Sequence, residues 1–195
     1  MAPLILATRN DHKLREFREA LPALEIEALP QEVELPPETG ETFAENALDK
    51  ARAAREATGR AAIADDSGIE AAALGGRPGV RSARFAGEDA SDEQNLAKLI
   101  SEVSEHGDRR VAYICAVAWV DEPGEERLFE GRCSGALISE PRGNGGFGYD
   151  PAFVPDDTGP GDERTMAELS PEEKHAISHR GRAARELARA LGGEG

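Results

Sequence analysis

Cysteine is scarce in this chain of 195 residues, which has only Cys115 and Cys133. Their spacing matches no zinc or redox motif, and both fall in strand-like segments, so we expect two reduced thiols in the core and a cytoplasmic protein. The chain also lacks any run of about 18 apolar residues, so no membrane span is expected. Its start, MAPLILATRN, lacks a basic segment, so no signal peptide is expected.

Positive charge is also in short supply. The chain carries 23 Lys and Arg against 38 Asp and Glu, a net charge of −15. We therefore expect neither a nucleic-acid polymer nor an anionic membrane as the main partner, because binding to either is favoured by a broad positive surface. A small phosphorylated ligand remains compatible, since a few local cations or a bound Mg²⁺ can serve it. The basic residues include only four lysines: Lys13, Lys50, Lys98 and Lys174.

The length, with 39% hydrophobic and 31% charged residues, predicts one globular domain over residues 1–195, and the strand and helix patterns along it predict the α/β class. Apolar or alternating runs predict strands, and capping residues followed by helical spacing predict helices. Strands are predicted at Pro3–Ala7, Leu24–Leu29, Arg60–Ala64, 109–121 and 126–140, the last two as a hairpin around Glu122-Pro123-Gly124-Glu125. Helices are predicted at 14–21, 42–59 and 91–106, and loops at 31–40, 75–87, 141–153 and 155–163. The end is predicted to be helical, with a capped start at Ser170 and a second amphipathic run to Leu191.

Two adjacent carboxylates, Asp65 and Asp66, follow a short apolar run in the segment AIADDSG, residues 62–68. We expect a buried strand that ends at this pair, before a turn at Ser67 and Gly68. The rim of an open α/β sheet is where ligands bind, and an acidic pair there requires a metal, a cation or water. A cap or turn without function explains the same residue types, so both interpretations stay open.

The segment Thr8-Arg9-Asn10-Asp11-His12-Lys13 joins the first strand to the first helix. Backbone N–H groups, the helix dipole and a lysine can receive phosphate at this position. The segment contains no glycine and is not a Walker loop. A solvated strand–helix turn is an equally good interpretation.

Glu38 and Glu41 stand just before the long helix. They either compensate the helix dipole or bind Mg²⁺, which takes one or two protein carboxylates. Within the helix, Glu45 is expected to complete a capping box, and Asn46 and Lys50 are expected to form a polar pair of the helix itself.

Two further segments combine residue types that suit a nucleotide. The glycines of residues 143–151, GNGGFGYDP, allow close backbone approach, and Phe147 and Tyr149 suit a planar ligand. Residues 174–180 place a lysine, two histidines and an arginine within two helical turns. The alternative for residues 143–151 is a wide turn without function, and the alternative for residues 174–180 is a solvated basic face of a helix.

Taken together, six segments resemble the inosine triphosphate pyrophosphatase family, also called Ham1-like proteins. They are TRNDHK (8–13), ETGETFAENALDKA (38–51), ADDSG (64–68), GGRPGVRSARFAG (75–87), GFGYDPAF (146–153) and EKHAISHRGRA (173–183). The resemblance runs in order from about Leu4 to Leu191. Motifs as long as GFGYDP are more specific than short patterns.

The resemblance implies an enzyme that hydrolyses ITP, dITP or XTP to the monophosphate and pyrophosphate with Mg²⁺, removing them from the nucleotide pool. It implies a long, twisted mixed β-sheet flanked by helices, in two lobes with the active-site cleft between them. It also implies a homodimer.

The same resemblance assigns roles to residues. Asp66 would bind metal and accept the proton of the attacking water, and Glu38 would be the second metal ligand. Arg180 would favour a 6-keto oxygen, and Asp65 would be a support. Substrate contacts are implied for Thr8, Arg9, Asn10, Asp11, His12, Lys13, Ser67, Phe147, Gly148, Tyr149, Asp150, Lys174, His179 and Arg180. Arg9 departs from the family, since many members have glycine there.

Two other functions remain as hypotheses. One is a pyrophosphatase of the Maf type, acting on modified canonical nucleotides, against which the GFGYDP and SHR segments argue. The other is a nucleotide-sensing module without turnover. Loss of Asp66 or Glu38 would favour that module, but both residues are present.

Overall fold

A computed structural model describes residues 3–121 and 124–192 of the chain. In these residues six strands form one mixed sheet: β1 (Leu4–Leu6), β2 (Ile26–Ala28), β3 (Ala62–Ala71), β4 (Arg110–Val120), β5 (Glu126–Leu137) and β6 (Phe153–Pro155). Their order is β2-β1-β3-β4-β5-β6. Strand β1 runs parallel to β2 and β3, and β5 runs antiparallel to β6. The α/β class and the long mixed sheet are as predicted.

Helices flank the sheet. They are α1 (Asp11–Ala20), α2 (Phe43–Thr58), α3 (Asp92–Ser104), α4 (Pro171–Ile177) and α5 (His179–Leu191). Of these, α2, α3 and α4 begin where capping residues predict them. Thr42 and Glu45 form the predicted capping box of α2, and Gly59 ends that helix in the left-handed conformation, at φ 67°. Ser91 and Ser170 cap α3 and α4 as predicted.

Strands β4 and β5 are neighbours in the sheet. Nearly every residue of β4 is buried, as expected for an apolar strand covered on both faces. The turn predicted between them includes Glu122 and Pro123, which lie outside the described residues.

Three local predictions are wrong. Strand β3 does not end at Asp65 but continues through Asp66, Ser67 and Gly68 to Ala71. Helix α1 begins at Asp11, so the second half of the segment 8–13 is helical. The loop at 75–87 contains a 3₁₀ helix at Gly79–Arg84. The helical end is as predicted, a capped start and a second run, and the two helices separate at Ser178, which takes an extended conformation at φ −64° and ψ 152°.

The chain divides into two compact units. Unit 1 comprises residues 1–66, 115–131 and 179–195, and unit 2 comprises 67–114 and 132–178. The core of unit 1 packs β1, β3 and β4 with α1 and α5, whereas the core of unit 2 is built around α3, β6 and the nearby halves of the long strands. The single domain and the cleft between lobes stay predictions.

Close packing in unit 1 places the start of α5. Gly131 of β5 lies under this helix: a Cβ on Gly131 would collide with the carbonyl oxygen of His179 and would lie 2.8 Å from the amide nitrogen of Ala183. The missing side chain therefore lets the helix backbone rest on the strand, which fixes the positions of His179 and Arg180.

Both cysteines are buried and free of disulfide bonds, as predicted. Within the described ranges, each helix is too short or too polar to cross a membrane.

Candidate active site

Asp65 and Asp66 lie side by side in the middle of β3, and both are buried. Neighbouring residues of a strand point to opposite faces. The two carboxylates accordingly have different partners: Asp65 pairs with Lys13 and Arg180, and Asp66 bonds to Asn46. These partners explain how β3 can carry two acidic residues through its buried middle.

Asp65 is surrounded by cations. Its Oδ2 lies 2.9 Å from Lys13 Nζ and 3.4 Å from Arg180 Nε, and Arg180 also pairs with Glu16 of α1. Burial opposes the charge of Asp65, but Lys13, Arg180 and Lys50 outweigh it and hold the pKa of this carboxyl well below its usual range. Asp65 therefore stays ionised and holds both cations on one side of β3.

A second group, the carboxylate cluster, consists of Glu38, Asn46, Lys50 and Asp66. Asn46 Nδ2 donates to Asp66 Oδ2 at 2.8 Å. Lys50 Nζ lies 2.5 Å from Glu38 Oε1 and 4.0 Å from Asp66 Oδ1. Asn46 and Lys50 lie on the buried face of α2, and Glu38 lies in the irregular segment before that helix. The predicted polar pair of α2 is thus part of the surroundings of Asp66.

The charges of this cluster are strongly coupled. Burial raises the pKa of Asp66, and the charge of Glu38 raises it further, although Lys50 and Asn46 act in the opposite direction. Burial disfavours the charge of Lys50, yet Asp65, Asp66 and Glu38 raise its pKa above the usual value. Asp66 is thus a carboxylate of increased basicity beside a charged lysine.

The donor chemistry of the carboxylate cluster fits a hard divalent cation. Glu38 and Asp66 both direct a carboxylate oxygen at the Lys50 ammonium, so the two acids already converge on a positive charge. Mg²⁺ commonly takes one or two protein carboxylates and completes its shell with water and phosphate oxygens. Within residues 3–121 and 124–192, no group of three or more His, Cys, Asp or Glu could hold a metal by itself.

The segment Thr8–Lys13 is held by its own side chains. Asn10 caps α1, with Oδ1 accepting from the backbone N–H groups of His12 and Lys13. The Arg9 side chain bonds to a different part of the chain. Its guanidinium donates to four backbone carbonyls, those of Leu29, Pro30, Gln31 and Val33. Arg9 therefore ties this segment to the irregular stretch that leads to Glu38. A contact of Arg9 with substrate stays a prediction.

In unit 2, Asp150 organises the aromatic loop, residues 146–150. Its carboxylate accepts from Tyr113 Oη at 3.1 Å, from the backbone N–H of Phe147 at 3.0 Å and from Lys174 Nζ at 2.9 Å. Lys174 Nζ also lies 5.4 Å from the centre of the Phe147 ring, within cation–π range. Burial and the Asp150 carboxylate raise the pKa of Tyr113 well above its usual value, so this hydroxyl stays a donor.

Two further bonds hold the loop. Tyr149 Oη donates to the carbonyl of Ser82 at 2.7 Å, and the backbone N–H of Gly148 donates to Asp92 of α3 at 2.8 Å. Phe147 is thus a half-buried aromatic ring on a loop that side-chain and backbone bonds hold at the two following residues and at Asp150.

The remaining candidates fall in both units. Ser67 is a half-buried residue of β3 in unit 2, and His179 and Arg180 begin α5 in unit 1, both buried rather than on a solvated face. Glu41 is exposed and donates its backbone N–H to Glu45.

Sequence reasoning missed the roles of Glu16, Asn46, Lys50 and Tyr113 in these contacts. The helical spacing of α2 could have indicated two of these roles. Asn46 and Lys50 stand four residues apart on a face otherwise made of Phe43 and alanines, so two polar side chains were to be expected in a buried position.

Comparisons with known proteins agree with this architecture. The model of the Ham1 family matches residues 4–190. A dITP/XTP pyrophosphatase of Mycolicibacterium paratuberculosis is 48% identical, over 98% of this chain and 96% of its own length. A dITP/XTP pyrophosphatase of Geobacter sulfurreducens is 46% identical, over 100% and 99%.

A solved structure shows the same fold. The HAM1 protein from Coxiella burnetii is 42% identical and superposes with a TM-score of 0.87, over 98% of this chain and 99% of its own. With a family model that spans nearly the whole chain and relatives at this identity, the chain belongs to the Ham1 family.

Proposed function

We propose that this protein hydrolyses the non-canonical purine nucleoside triphosphates ITP, dITP and XTP to the monophosphate and pyrophosphate. The observation that carries the proposal is the arrangement around Asp65 and Asp66, with Lys13 and Arg180 on one carboxylate and Lys50 and Asn46 on the other. Membership of the Ham1 family, with relatives named dITP/XTP pyrophosphatase, supports the substrate class.

In this proposal the segment Thr8–Lys13 and the carboxylate cluster supply the phosphate chemistry. Lys13 and the start of α1 bind the triphosphate, and Glu38 and Asp66 would hold the divalent ion. Mg²⁺ bound there would offset negative charge on the phosphoryl oxygens. The attacking water forms a bond to the α-phosphorus, the bond from that phosphorus to the bridging oxygen breaks, and pyrophosphate leaves. Asp66 would accept the proton of the water, because its carboxylate is the base nearest the proposed metal position.

The aromatic loop is proposed to recognise the base. Phe147 stacks on the purine beside the Lys174 ammonium, which Asp150 holds, and a donor such as Arg180 meets the 6-keto oxygen that adenine lacks. A buried donor that met an amino group instead would lose its hydrogen bond, which gives such sites strong discrimination. Arg180, to which the resemblance gave this donor role, is engaged by Asp65 and Glu16, and its contact with the base stays a prediction.

The product and the substrate range test the function directly. The purified protein is given ITP, XTP, GTP and dTTP with Mg²⁺, and pyrophosphate and orthophosphate are measured separately. We expect pyrophosphate from ITP and XTP and far slower release from GTP and dTTP. Orthophosphate as the first product, or equal rates on ITP and GTP, would contradict the proposal.

Asp66→Asn tests the proton acceptor. The amide keeps the shape of the side chain but cannot take a proton, so turnover should be lost while the melting temperature stays close to that of the parent. Near-normal turnover would remove Asp66 from this role.

The homodimer and the cytoplasmic location stay part of the proposal. Light scattering during gel filtration measures the mass directly. A mass near the monomer's 20.8 kDa would contradict the dimer.

A further inference from the structure

Asn46 is a buried amide whose two polar atoms bond in different directions. Its Nδ2 donates to Asp66 Oδ2 at 2.8 Å, and its Oδ1 accepts from the backbone N–H of Gly40 at 2.8 Å. The residue is only 2% exposed. An amide offers both a donor and an acceptor, so this pair of bonds fixes its orientation.

The position of Asn46 follows from the start of α2. Thr42 caps the helix, which places Asn46 in its first turn on the buried face, four residues before Lys50. Gly40 approaches closely: a Cβ there would lie 2.7 Å from Asn46 Oδ1 and 2.8 Å from Glu45 Cβ. The segment before α2 can therefore pass tightly over Asn46 only because residue 40 lacks a side chain.

Asn46 consequently links Asp66 to the segment that carries Glu38. It bonds to Asp66 directly, and it bonds to the backbone two residues after Glu38. We propose that Asn46 is a positioning residue: it sets the orientation of the Asp66 carboxylate, with Oδ2 held by the amide and Oδ1 facing Lys50, and holds the Glu38 segment against it. This inference rests on the proposed function.

The chain contains a matched control at Asn95. This asparagine has the same place in α3, four residues after the cap Ser91, and is also 2% exposed. Its Oδ1 accepts from the N–H of Ala86 at 2.8 Å, but its Nδ2 donates to the carbonyl of Ala83 at 3.0 Å rather than to a carboxylate. Asn95 thus joins the start of its helix to the preceding segment as Asn46 does, but without a bond to a carboxylate. Its loss reports the structural effect of such bonds by itself.

The experiment compares Asn46→Ala, Asn46→Asp and Asn95→Ala with the parent. Asn46→Asp keeps an acceptor for Gly40 but turns a like charge towards Asp66. We expect both Asn46 variants to lower kcat for ITP by about 10–100-fold, the usual effect of removing a residue that orients a ligand of the site, with KM within about twofold. Asn95→Ala should lower the melting temperature as much as Asn46→Ala and leave kcat unchanged.

Binding of Mg²⁺ without nucleotide, measured by calorimetry, is the second readout. Asn46→Ala should weaken it about 10-fold or more, and Asn95→Ala should not change it. If Asn46→Ala loses only stability, with parental kcat and Mg²⁺ binding, the inference is overturned. Should the parent release no pyrophosphate from ITP, the proposed function fails, and the Mg²⁺ arm then decides the role of Asn46 by itself.

Discussion

Lys13 is the lysine that we propose binds the triphosphate. Its ammonium lies 2.9 Å from the Asp65 carboxylate, which holds it in place. Lys13→Ala removes that charge from the start of α1, so KM for ITP should rise at least 10-fold while kcat falls less. Lys98→Ala is the control, since Lys98 is a lysine of α3 that bonds to the carbonyl of Phe85. Steady-state kinetics of both variants test this. An unchanged KM in Lys13→Ala would remove Lys13 from the phosphate site.

Asp65 links the site to stability. Its pKa is lowered in the folded chain, so its charge stabilises the fold above about pH 4, and this contribution is lost as the pH falls below the unfolded value. Asp65→Asn leaves Lys13 and Arg180 facing an uncharged group and should cost about 3 kcal/mol at pH 7.

Urea unfolding at pH 7 and at pH 3.5 measures both effects. The difference between parent and Asp65→Asn should be large at pH 7 and smaller at pH 3.5. A difference that grows as the pH falls would show that the sign of the pKa shift is wrong.

At the scale of elements, the contact between β5 and α5 depends on glycine at position 131, which has no side chain. Gly131→Ala would force a Cβ against the backbone of α5 at His179 and Ala183. Backbone cannot give way as a flexible side chain can, so we expect a loss of about 3 kcal/mol or more, at the upper end of overpacking effects. Gly107→Ala is the control, since a Cβ there meets nothing within 4 Å. Equal melting temperatures would contradict the close packing.

The elements also show where sequence patterns succeed. Capping boxes at Thr42, Ser91 and Ser170 act over four residues, and all three helices begin where these residues predict. The end of β3 depends instead on distant residues. Two aspartates normally favour a turn, but Lys13, Lys50 and Arg180 compensate them and the strand continues.

For the whole molecule, the buried thiols give a simple prediction. Cys115 and Cys133 are fully buried, and burial with the nearby Asp65 charge raises the pKa of Cys115 to about 12. Neither thiol should react with a disulfide reagent at pH 8 in the native state, because burial blocks access to both and the raised pKa of Cys115 also suppresses its thiolate. Both should react in 8 M urea, and fast labelling of the native protein would contradict the burial.

The sequence by itself determined the α/β class, the caps and the family, because these depend on local patterns and on long motifs. It also marked Asp66, Glu38 and Lys13 as candidates. Only the tertiary structure decided the partners: Lys13 and Arg180 on Asp65, Asn46 and Lys50 on Asp66, and Arg9 on the carbonyls of 29–33. The physical reason is distance along the chain. Arg180 meets Asp65 across 115 residues, and no local pattern encodes which buried charge will compensate which.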